Sequence, residues 1–268
     1  MRVGERILAA LSRSPAEGDL EEAADGWTVE NALDGLRRYF PDLAGLVRGR
    51  RVLDFGCGAG WQAVALAREG AASVVGLDTN EAALAGAREL AAGLGLGEDR
   101  VRFVARLPAE WLGGFDVVVS QNAMEHFAEP EAVLRAMCGA LRPGGRIVMT
   151  FGPPWYAPTG SHMHFFTRVP WVNLVFSERT VLAVRSRYRS DGATRYEEVE
   201  SGLNRMSVGR FERITRGLGL GVERRYYRCV RGLDFLGRIP LARELFINNV
   251  SCVLVPMGGG PAVPRAAS

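Results

Sequence analysis

A glycine-rich turn in the first half of the chain is the segment best suited to hold a ligand. The sequence DFGCGAG, residues 54–60, follows a short apolar run and precedes an Ala-rich helical pattern that begins at Trp61. Glycine accepts positive φ and lets a ligand lie against bare backbone, while the first amide N–H groups of a helix have no partner within that helix. We therefore expect this turn to surround a ligand, with a carboxylate on its rim. The expected contacts are Asp54, Gly56, Cys57, Gly58 and Gly60.

The spacing of these glycines separates two classes of cofactor. Dinucleotide-binding proteins use G-x-G-x-x-G, with a helix N-terminus facing a pyrophosphate. In this chain the spacing is G-x-G-x-G, and an aspartate precedes it. A carboxylate would repel a pyrophosphate but would pair with a cationic amino group. The turn therefore favours a cofactor that carries an ammonium group.

A second carboxylate follows the next apolar run. Residues 74–77 predict a strand, and Asp78 stands at its end, 18 residues after Gly60, which is a plausible βαβ distance. Asn80 can cap the helix that follows. A carboxylate at the end of this strand can accept hydrogen bonds from both hydroxyls of a ribose. We expect Asp78, with Thr79 beside it, to face a nucleoside.

The loop after the fourth predicted strand is a further candidate for ligand contacts. Ligands of open α/β sheets bind outside the carboxyl ends of the strands. Ser120, Gln121 and Asn122 follow that strand directly. We expect all three to face the cofactor and the acceptor, with Ser120 and Gln121 as cofactor contacts.

These segments, in this order, resemble the class I S-adenosylmethionine (SAM) dependent methyltransferases. DFGCGAG is similar to motif I of that family and Asp78 to its motif II, and the turn LRPGG, residues 141–145, precedes a fifth strand as it does in the family. The resemblance implies SAM as the cofactor and a three-layer α-β-α sandwich around a seven-stranded, mostly parallel sheet. It also implies that Asp54 and the glycines surround the methionine moiety and that Asp78 binds the ribose.

One position departs from the family pattern. The family often places an aspartate just after the third strand, where it contacts the adenine amino group, whereas this chain has Ala-Arg-Leu-Pro at residues 105–108. We therefore expect backbone groups and apolar side chains to hold the adenine. The candidates are Leu107 and Trp111.

The chain has three histidines, and all three fall near the predicted acceptor side of the sheet. His126 follows the fourth strand, and His162 and His164 lie in a long segment after the fifth. An unperturbed imidazole is neutral at pH 7 and can take the proton of a hydroxyl or ammonium acceptor. We predict all three as candidate catalytic bases; the alternatives are a structural hydrogen bond at His126 and substrate contacts at the other two. A metal site is not expected, because no carboxylate or cysteine stands at a matching spacing.

The predicted elements divide the chain into a helical cap and a cofactor-binding domain. Residues 1–49 form the cap and residues 50–268 the SAM-binding domain, in which residues 152–203 are an insertion after strand five that acts as a lid over the acceptor. Three aromatic residues of the cap either line the site or pack beneath it: Trp27, Tyr39 and Phe40. The predicted strands are residues 52–55, 74–77, 101–105, 116–119, 146–151, 221–230 and 248–255.

Composition excludes several classes of protein and of chemistry. The chain has 268 residues, of which 47% are apolar, and this allows one sizeable core with an elaboration. All 33 basic residues are arginine, so a lysine Schiff base and a lysine general base are excluded. The four cysteines lie far apart and predict free thiols. No run of roughly 18 uncharged apolar residues occurs, so we expect a cytoplasmic protein without a transmembrane segment.

Charge is distributed unevenly along the chain. Residues 1–150 carry 16 arginines and 21 acidic residues, a net charge of −5, whereas residues 151–268 carry 17 arginines and 9 acidic residues, a net charge of +8. The basic half favours an anionic acceptor or a solvated arginine surface, and RNA binding is a third interpretation. Six arginines crowd the predicted lid: Arg168, Arg179, Arg185, Arg187, Arg189 and Arg195.

The predicted function is methyl transfer from SAM to a small-molecule acceptor, with oxygen as the expected acceptor atom. Sugars, lipid-linked molecules and secondary metabolites are the acceptor classes in question, and an anionic acceptor is one of the possibilities. DNA is not an expected partner. The alternatives are N-methylation, RNA methylation, and a SAM-fold protein that binds the cofactor without catalysis.

Overall fold

Strands and helices alternate along most of the chain, as the apolar runs predict. The structure is a computed structural model that describes residues 2–14, 26–200, 202–240 and 242–257. The strands are β1 (Arg51–Phe55), β2 (Ser73–Leu77), β3 (Val101–Val104), β4 (Phe115–Gln121), β5 (Leu141–Phe151), β6 (Leu220–Cys229) and β7 (Ile247–Pro256). The helices are α1 (Val3–Ala10), α2 (Asp34–Tyr39), α3 (Leu43–Val47), α4 (Trp61–Arg68), α5 (Glu81–Gly93), α6 (Pro130–Ala140), α7 (Val172–Val175), α8 (Glu178–Arg185), α9 (Val208–Gly217) and α10 (Arg243–Phe246).

The seven strands form one mixed sheet in the order β3-β2-β1-β4-β5-β7-β6. Strands β1 to β5 run parallel to one another, and β7 is antiparallel to both β5 and β6. The carboxyl ends of the parallel strands therefore meet at one edge of the sheet, which is where ligands of such sheets bind. This topology confirms the predicted three-layer sandwich with a seven-stranded, mostly parallel sheet.

The element boundaries follow local sequence signals closely. The Asn80 side chain accepts hydrogen bonds from the first amides of α5, so the predicted cap is confirmed, and the Ser207 side chain caps α9 by accepting the N–H of Arg210. Strand β5 begins at Leu141 rather than at Arg146, because Leu141 already pairs with Phe115 before an irregular step in the register. The LRPGG turn is thus part of the strand in this structure.

Two apolar cores cover the two faces of the sheet. Helices α2, α3, α4 and α5 pack on one face through side chains such as Leu36 and Leu84. Helices α6 and α9 pack on the other face through side chains such as Leu134 and Phe211. Phe40 is fully buried in the first core and Tyr39 packs against it, so these two aromatics of the predicted cap support packing.

A third core lies within the segment between β5 and α9. Leu8 of α1 is buried there with Phe166 and Val181, so the first helix belongs to this lobe rather than to the sheet. The backbone N–H of Arg13 donates to the Phe166 carbonyl at 2.8 Å and ties the chain after α1 to the same lobe. We call residues 152–206 together with residues 2–14 the insertion lobe. Among the described residues, no helix combines the length and the apolar character that a bilayer crossing requires.

Candidate active site

The glycine-rich turn sits at the carboxyl end of β1 and is fixed by the end of β2. The backbone N–H groups of Gly56 and Cys57 donate to the Leu77 carbonyl at 2.8 and 3.1 Å. Gly56 and Gly60 have φ values of 80° and 83°, which L side chains rarely adopt. A Cβ at Gly60 would lie 2.6 Å from Ala87 Cβ, so this glycine also allows α4 to pack closely on α5.

Asp78 lies at the end of β2, where the sequence places it, and binds the turn. One carboxylate oxygen accepts the N–H of Gly58 at 2.8 Å, and the other accepts the N–H of Asn80 at 2.9 Å. Each oxygen keeps a further lone pair for a ligand. Asp78 therefore holds the glycine turn in place as well as facing the cavity described next.

The larger cavity at this edge has a volume of about 680 Å³ and is mostly apolar. This volume lies within the range of small-molecule sites, about 300–1,000 Å³. Its lining brings together Gly56, Asp78, Thr79 and Leu107, four of the predicted cofactor contacts. Further lining residues that the sequence did not single out include Phe55, Leu77, Ala105, Leu112, Phe127 and Val133.

Trp111, the other residue predicted to contact the adenine, does not line this cavity, so that prediction is wrong. Its ring lies against the guanidinium groups of Arg51 and Arg102, at 5.7 and 5.6 Å from the ring centroid. The short helical turn at Ala109–Trp111 directs the next residue, Leu112, to the cavity instead.

A smaller cavity of about 250 Å³ adjoins the other side of the glycine turn. Gly56 lines both cavities, so the turn separates two neighbouring spaces. Of the predicted contacts, Cys57 and Gln121 line the smaller cavity, together with Asn122 and with Trp27 of the predicted cap. Trp61 and Gln62, at the start of α4, complete it.

Asp54 does not stand on the rim of either cavity, contrary to the expectation from sequence. It is fully buried, and its Oδ1 accepts a hydrogen bond from Gln62 Nε2 at 2.6 Å. Its Oδ2 is buried without a hydrogen-bond partner. Burial raises the pKa of Asp54 to about 7, although the Gln62 hydrogen bond opposes this rise and the nearby Asp78 charge adds to it. Gln62, which sequence reasoning missed, thus connects the buried carboxylate to the smaller cavity.

Two polar residues, Ser120 and Gln121, end strand β4; Gln121 lines the smaller cavity, whereas Ser120 lines neither cavity. Ser120 is 1% exposed, and its hydroxyl has no hydrogen-bond partner. The Gln121 carbonyl oxygen is also buried and unpartnered. A buried polar group without a partner costs about 1–3 kcal/mol, so the Gln121 oxygen at the smaller cavity is available to a ligand.

The loop after β4 is clamped between the glycine turn and the insertion lobe. The Asn204 side-chain amide donates to the carbonyls of Met124 and Phe127 at 2.8 and 2.7 Å. Glu125 is buried and accepts the N–H of Gly152 at 3.0 Å. This loop carries the first of the three histidines, so the clamp fixes the position of that side chain.

The structure brings His126 and His162 together. Their rings meet edge to face with centroids 5.3 Å apart, and His126 Nδ1 lies 2.8 Å from the Gly202 carbonyl. A carbonyl oxygen only accepts, so the neutral His126 ring carries its proton on Nδ1 and leaves Nε2 as an acceptor. Burial lowers the pKa of His162 to about 4, and its Nε2 has no hydrogen-bond partner.

His164 is separated from this pair. It is exposed and lines a third cavity, which also contacts Arg13 and Arg168. Because the neighbouring residue in the chain, Met163, is buried in the insertion-lobe core, His162 and His164 face different spaces. His162 and His164 are close in sequence, but His162 contacts His126 and His164 lines the third cavity.

Two arginines of the predicted lid, Arg185 and Arg189, contact other residues of the lid. Arg185 is buried and makes two hydrogen bonds to Asp191, at 2.6 and 2.7 Å. The Arg185 hydrogen bond lowers the pKa of Asp191 to about 2. The guanidinium of Arg189 lies over the Phe165 ring at 4.6 Å. Of the six arginines singled out in the lid, Arg168 lines one of the cavities described here.

Comparisons with known proteins agree with this geometry. A family model described as a methyltransferase domain matches residues 46–152. The chain is 38% identical over 132 residues to the ubiquinone biosynthesis O-methyltransferase of Bordetella avium, which covers 46% of this chain and 54% of that enzyme. It is 32% identical over 160 residues to the enzyme of the same name from Escherichia coli O9:H4, which covers 55% of this chain and 66% of that enzyme.

The matched segments span between about half and two thirds of these curated relatives. Among solved structures, a SAM-dependent methyltransferase from Mesorhizobium loti has the same fold, with a TM-score of 0.52, 21% identity, and coverage of 83% of this chain and 99% of that one. The motif order, the sheet order and the family match agree. The chain therefore carries a methyltransferase domain with the class I SAM-dependent fold, and the methyl donor of this domain is SAM.

Proposed function

We propose that this protein transfers a methyl group from SAM to an oxygen atom of a small-molecule acceptor. One observation carries the proposal: the glycine turn separates two cavities, with Asp78 in the larger and the Gln62–Asp54 pair at the smaller. A nucleoside with a cationic amino-acid tail needs an apolar pocket, an acceptor for ribose hydroxyls and a polar site for its tail.

The residues present fit SAM in that orientation. Asp78 would accept the ribose hydroxyls, and the apolar lining that includes Leu107 would hold the adenine. Gln62 and the unpartnered Gln121 oxygen would face the amino-acid end, with the buried Asp54 carboxylate behind Gln62. The unpartnered oxygen of Gln121 is the group at the smaller cavity that a bound ligand would satisfy.

When bound, SAM supplies an electrophilic methyl group on a sulfonium centre. The protein's part is to align and dehydrate the acceptor, and well-oriented reactants can contribute roughly 7–11 kcal/mol to the lowering of the barrier. A general base adds about 10²- to 10⁴-fold. Positioning by the two cavities and the clamped loop is therefore the larger contribution.

His126 is the best-placed base for a hydroxyl acceptor. Its Nδ1–H is held by the Gly202 carbonyl, which leaves Nε2 free to take a proton. His162 stays neutral at neutral pH because burial lowers its pKa to about 4, so it is a weak proton acceptor. Its ring contacts His126 edge to face, and this contact would orient the base.

Oxygen is favoured as the acceptor atom by the names of the matched relatives, which are O-methyltransferases of ubiquinone biosynthesis. We keep residues 152–203 as the substrate lid in this proposal, because the lobe meets the loop that carries His126 at Gly202 and Asn204. The acceptor would be a sugar, a lipid-linked molecule or a secondary metabolite, and an anionic acceptor would suit the basic half of the chain.

A labelled-methyl experiment tests this proposal. The protein is incubated with methyl-labelled SAM and separate small-molecule, lipid and RNA fractions of a cell extract, and labelled products are identified by mass. We expect label in a small molecule or lipid, S-adenosylhomocysteine (SAH) in equal amount, and a fragment mass that places the methyl group on oxygen. Label in RNA or on nitrogen would favour those alternatives. SAM binding without SAH formation in any fraction would favour a non-catalytic protein.

A further inference from the structure

A third cavity lies in the insertion lobe, apart from the two cavities at the glycine turn. Its volume is about 280 Å³, and none of its lining residues is shared with either of the other two. Arg13 closes it from the N-terminal segment, and the remaining lining residues come from the chain between Pro158 and Val172. Neither the methyl donor nor the candidate base uses this space.

The lining of this cavity is cationic and rich in hydroxyl groups. Arg13, His164 and Arg168 line it, and the lining contains no acidic residue. Ser161 and Thr167 also line it and are 1% and 3% exposed, so polar side chains are built into its wall. Guanidinium, imidazole and hydroxyl groups are the donors that recognise phosphate oxygens.

The charges of this cavity are not neutralised within the described part of the chain. Arg185 and Arg205, elsewhere in the lobe, pair with Asp191 and with Glu178. Neither Arg13 nor Arg168 makes an ion pair with a described acidic residue. Two guanidinium groups that make no ion pair with a described residue, at one concave site, attract an anion.

The backbone on both sides of the cavity is held before any ligand arrives. The Arg13 N–H donates to the Phe166 carbonyl, and the Tyr188 hydroxyl donates to the Arg13 carbonyl. The backbones of Ser12 and Thr167 form an isolated antiparallel β-bridge, next to Arg168. The site is thus preformed, which reduces the ordering cost of binding.

From these observations we propose that this cavity is an anion-binding site for a phosphate-bearing ligand. Arg13 and Arg168 bind the phosphate oxygens, and His164 adds a ring N–H donor. The site is distinct from the SAM site, so the proposal stands or falls independently of methyl transfer.

Isothermal titration calorimetry of the full chain with inorganic phosphate tests the site. Ionic strength is held constant with chloride, so that general screening does not change during the titration. The variants are Arg168→Gln and Arg13→Gln, and the matched control is Arg187→Gln, which removes the same charge from an exposed arginine of the same lobe. Thermal unfolding in chloride checks that each variant is folded. Because Arg168 is exposed, Arg168→Gln alone decides the question if Arg13→Gln fails to fold.

We expect saturable 1:1 binding of phosphate to the wild type. A charge-assisted hydrogen bond contributes about 1.5–3 kcal/mol, so the Kd of Arg168→Gln should rise at least about tenfold, while that of Arg187→Gln stays within about twofold. Saturating SAH should leave the phosphate affinity of the wild type unchanged. The absence of saturable binding, or equal Kd values in Arg168→Gln and Arg187→Gln, would overturn the proposal.

Discussion

At the scale of single residues, Asp54 lies in an environment that disfavours its own charge. It is fully buried with one unpartnered oxygen, and its pKa rises from 3.8 to about 7. The folded protein therefore holds this proton over a range in which the unfolded chain has released it. The contribution of Asp54 to stability is present in full below pH 3.8 and is lost as pH rises to about 7.

Asp54→Asn should remove this pH dependence in the ligand-free protein. Asparagine keeps an acceptor for Gln62 and carries no charge, so the variant should be more stable than the wild type at pH 8. This gain in the free energy of unfolding should shrink at pH 5, where the wild-type carboxyl is already protonated. Between pH 5 and pH 8 the gain should change by on the order of 2–3 kcal/mol. Urea unfolding at both pH values measures it. An equal difference at pH 5 and pH 8 would show that Asp54 titrates normally.

A second residue-scale prediction distinguishes the catalytic role of His126 from that of His164. His126→Ala should lower kcat by about 10²- to 10⁴-fold, because it removes the proton acceptor, and should leave the Kd for SAM within about twofold. His164→Ala is the matched control, since His164 faces the third cavity, and its kcat should be unchanged. Steady-state kinetics with the labelled acceptor, alongside SAM titrations, provides the comparison. Equal losses of kcat in the two variants would remove His126 from the mechanism.

At the scale of elements, the turn between β1 and α4 has two glycines with nearly the same φ and different surroundings. A Cβ at Gly56 would lie 3.5 Å from Ala123 Cβ, an ordinary contact, and Gly56 borders both cavities. A Cβ at Gly60 would lie 2.6 Å from Ala87 and 2.9 Å from Phe103. The first glycine leaves room for a ligand, and the second leaves room for α5 and β3.

Alanine at each position should separate these two roles. The left-handed backbone costs about 1–2 kcal/mol for alanine at either site. Gly60→Ala should lose a further 1–3 kcal/mol or so from overpacking, whereas Gly56→Ala should raise the Kd for SAM at least about tenfold with only the smaller loss of stability. Chemical unfolding and calorimetric titration of both variants measure the two effects. A larger loss of stability in Gly56→Ala than in Gly60→Ala would contradict this assignment.

At the scale of the whole molecule, the parallel part of the sheet was predictable because strands such as β1, β2 and β4 are buried apolar runs with a turn signal at their ends. The caps Asn80 and Ser207 act through local hydrogen bonds, so the sequence around them is sufficient. The same holds for Asp78, because the position at the end of β2 follows from the βαβ pattern alone.

The errors arose where a side chain's direction depends on contacts with other elements of the fold. Asp54 turns inward because Gln62, eight residues later on α4, binds it. Trp111 leaves the cavity because Arg51 and Arg102, on two different strands, hold its ring. The separation of His162 from His164 depends on the insertion-lobe core, whose partner helix α1 lies far away in sequence. The sequence around each of these residues does not show which side chains of other elements it will contact.

In the proposed function, a single SAM molecule spans both cavities with its ribose at Asp78. Asp78→Ala alone does not test it cleanly, because this change also removes the hydrogen bond that Gly58 donates. A double-mutant cycle avoids the problem, since the effect on the turn cancels when two ligands are compared in the same protein.

The most direct measurement is therefore calorimetric titration of wild type and Asp78→Ala with SAH and with its 2′-deoxy and 3′-deoxy analogues. We predict that wild type binds a deoxy analogue about tenfold more weakly than SAH, close to 1.4 kcal/mol, and that Asp78→Ala binds all three ligands with nearly equal affinity. If both proteins lose the same affinity on removal of either hydroxyl, the ribose does not lie at Asp78 and the proposed orientation of the cofactor is wrong.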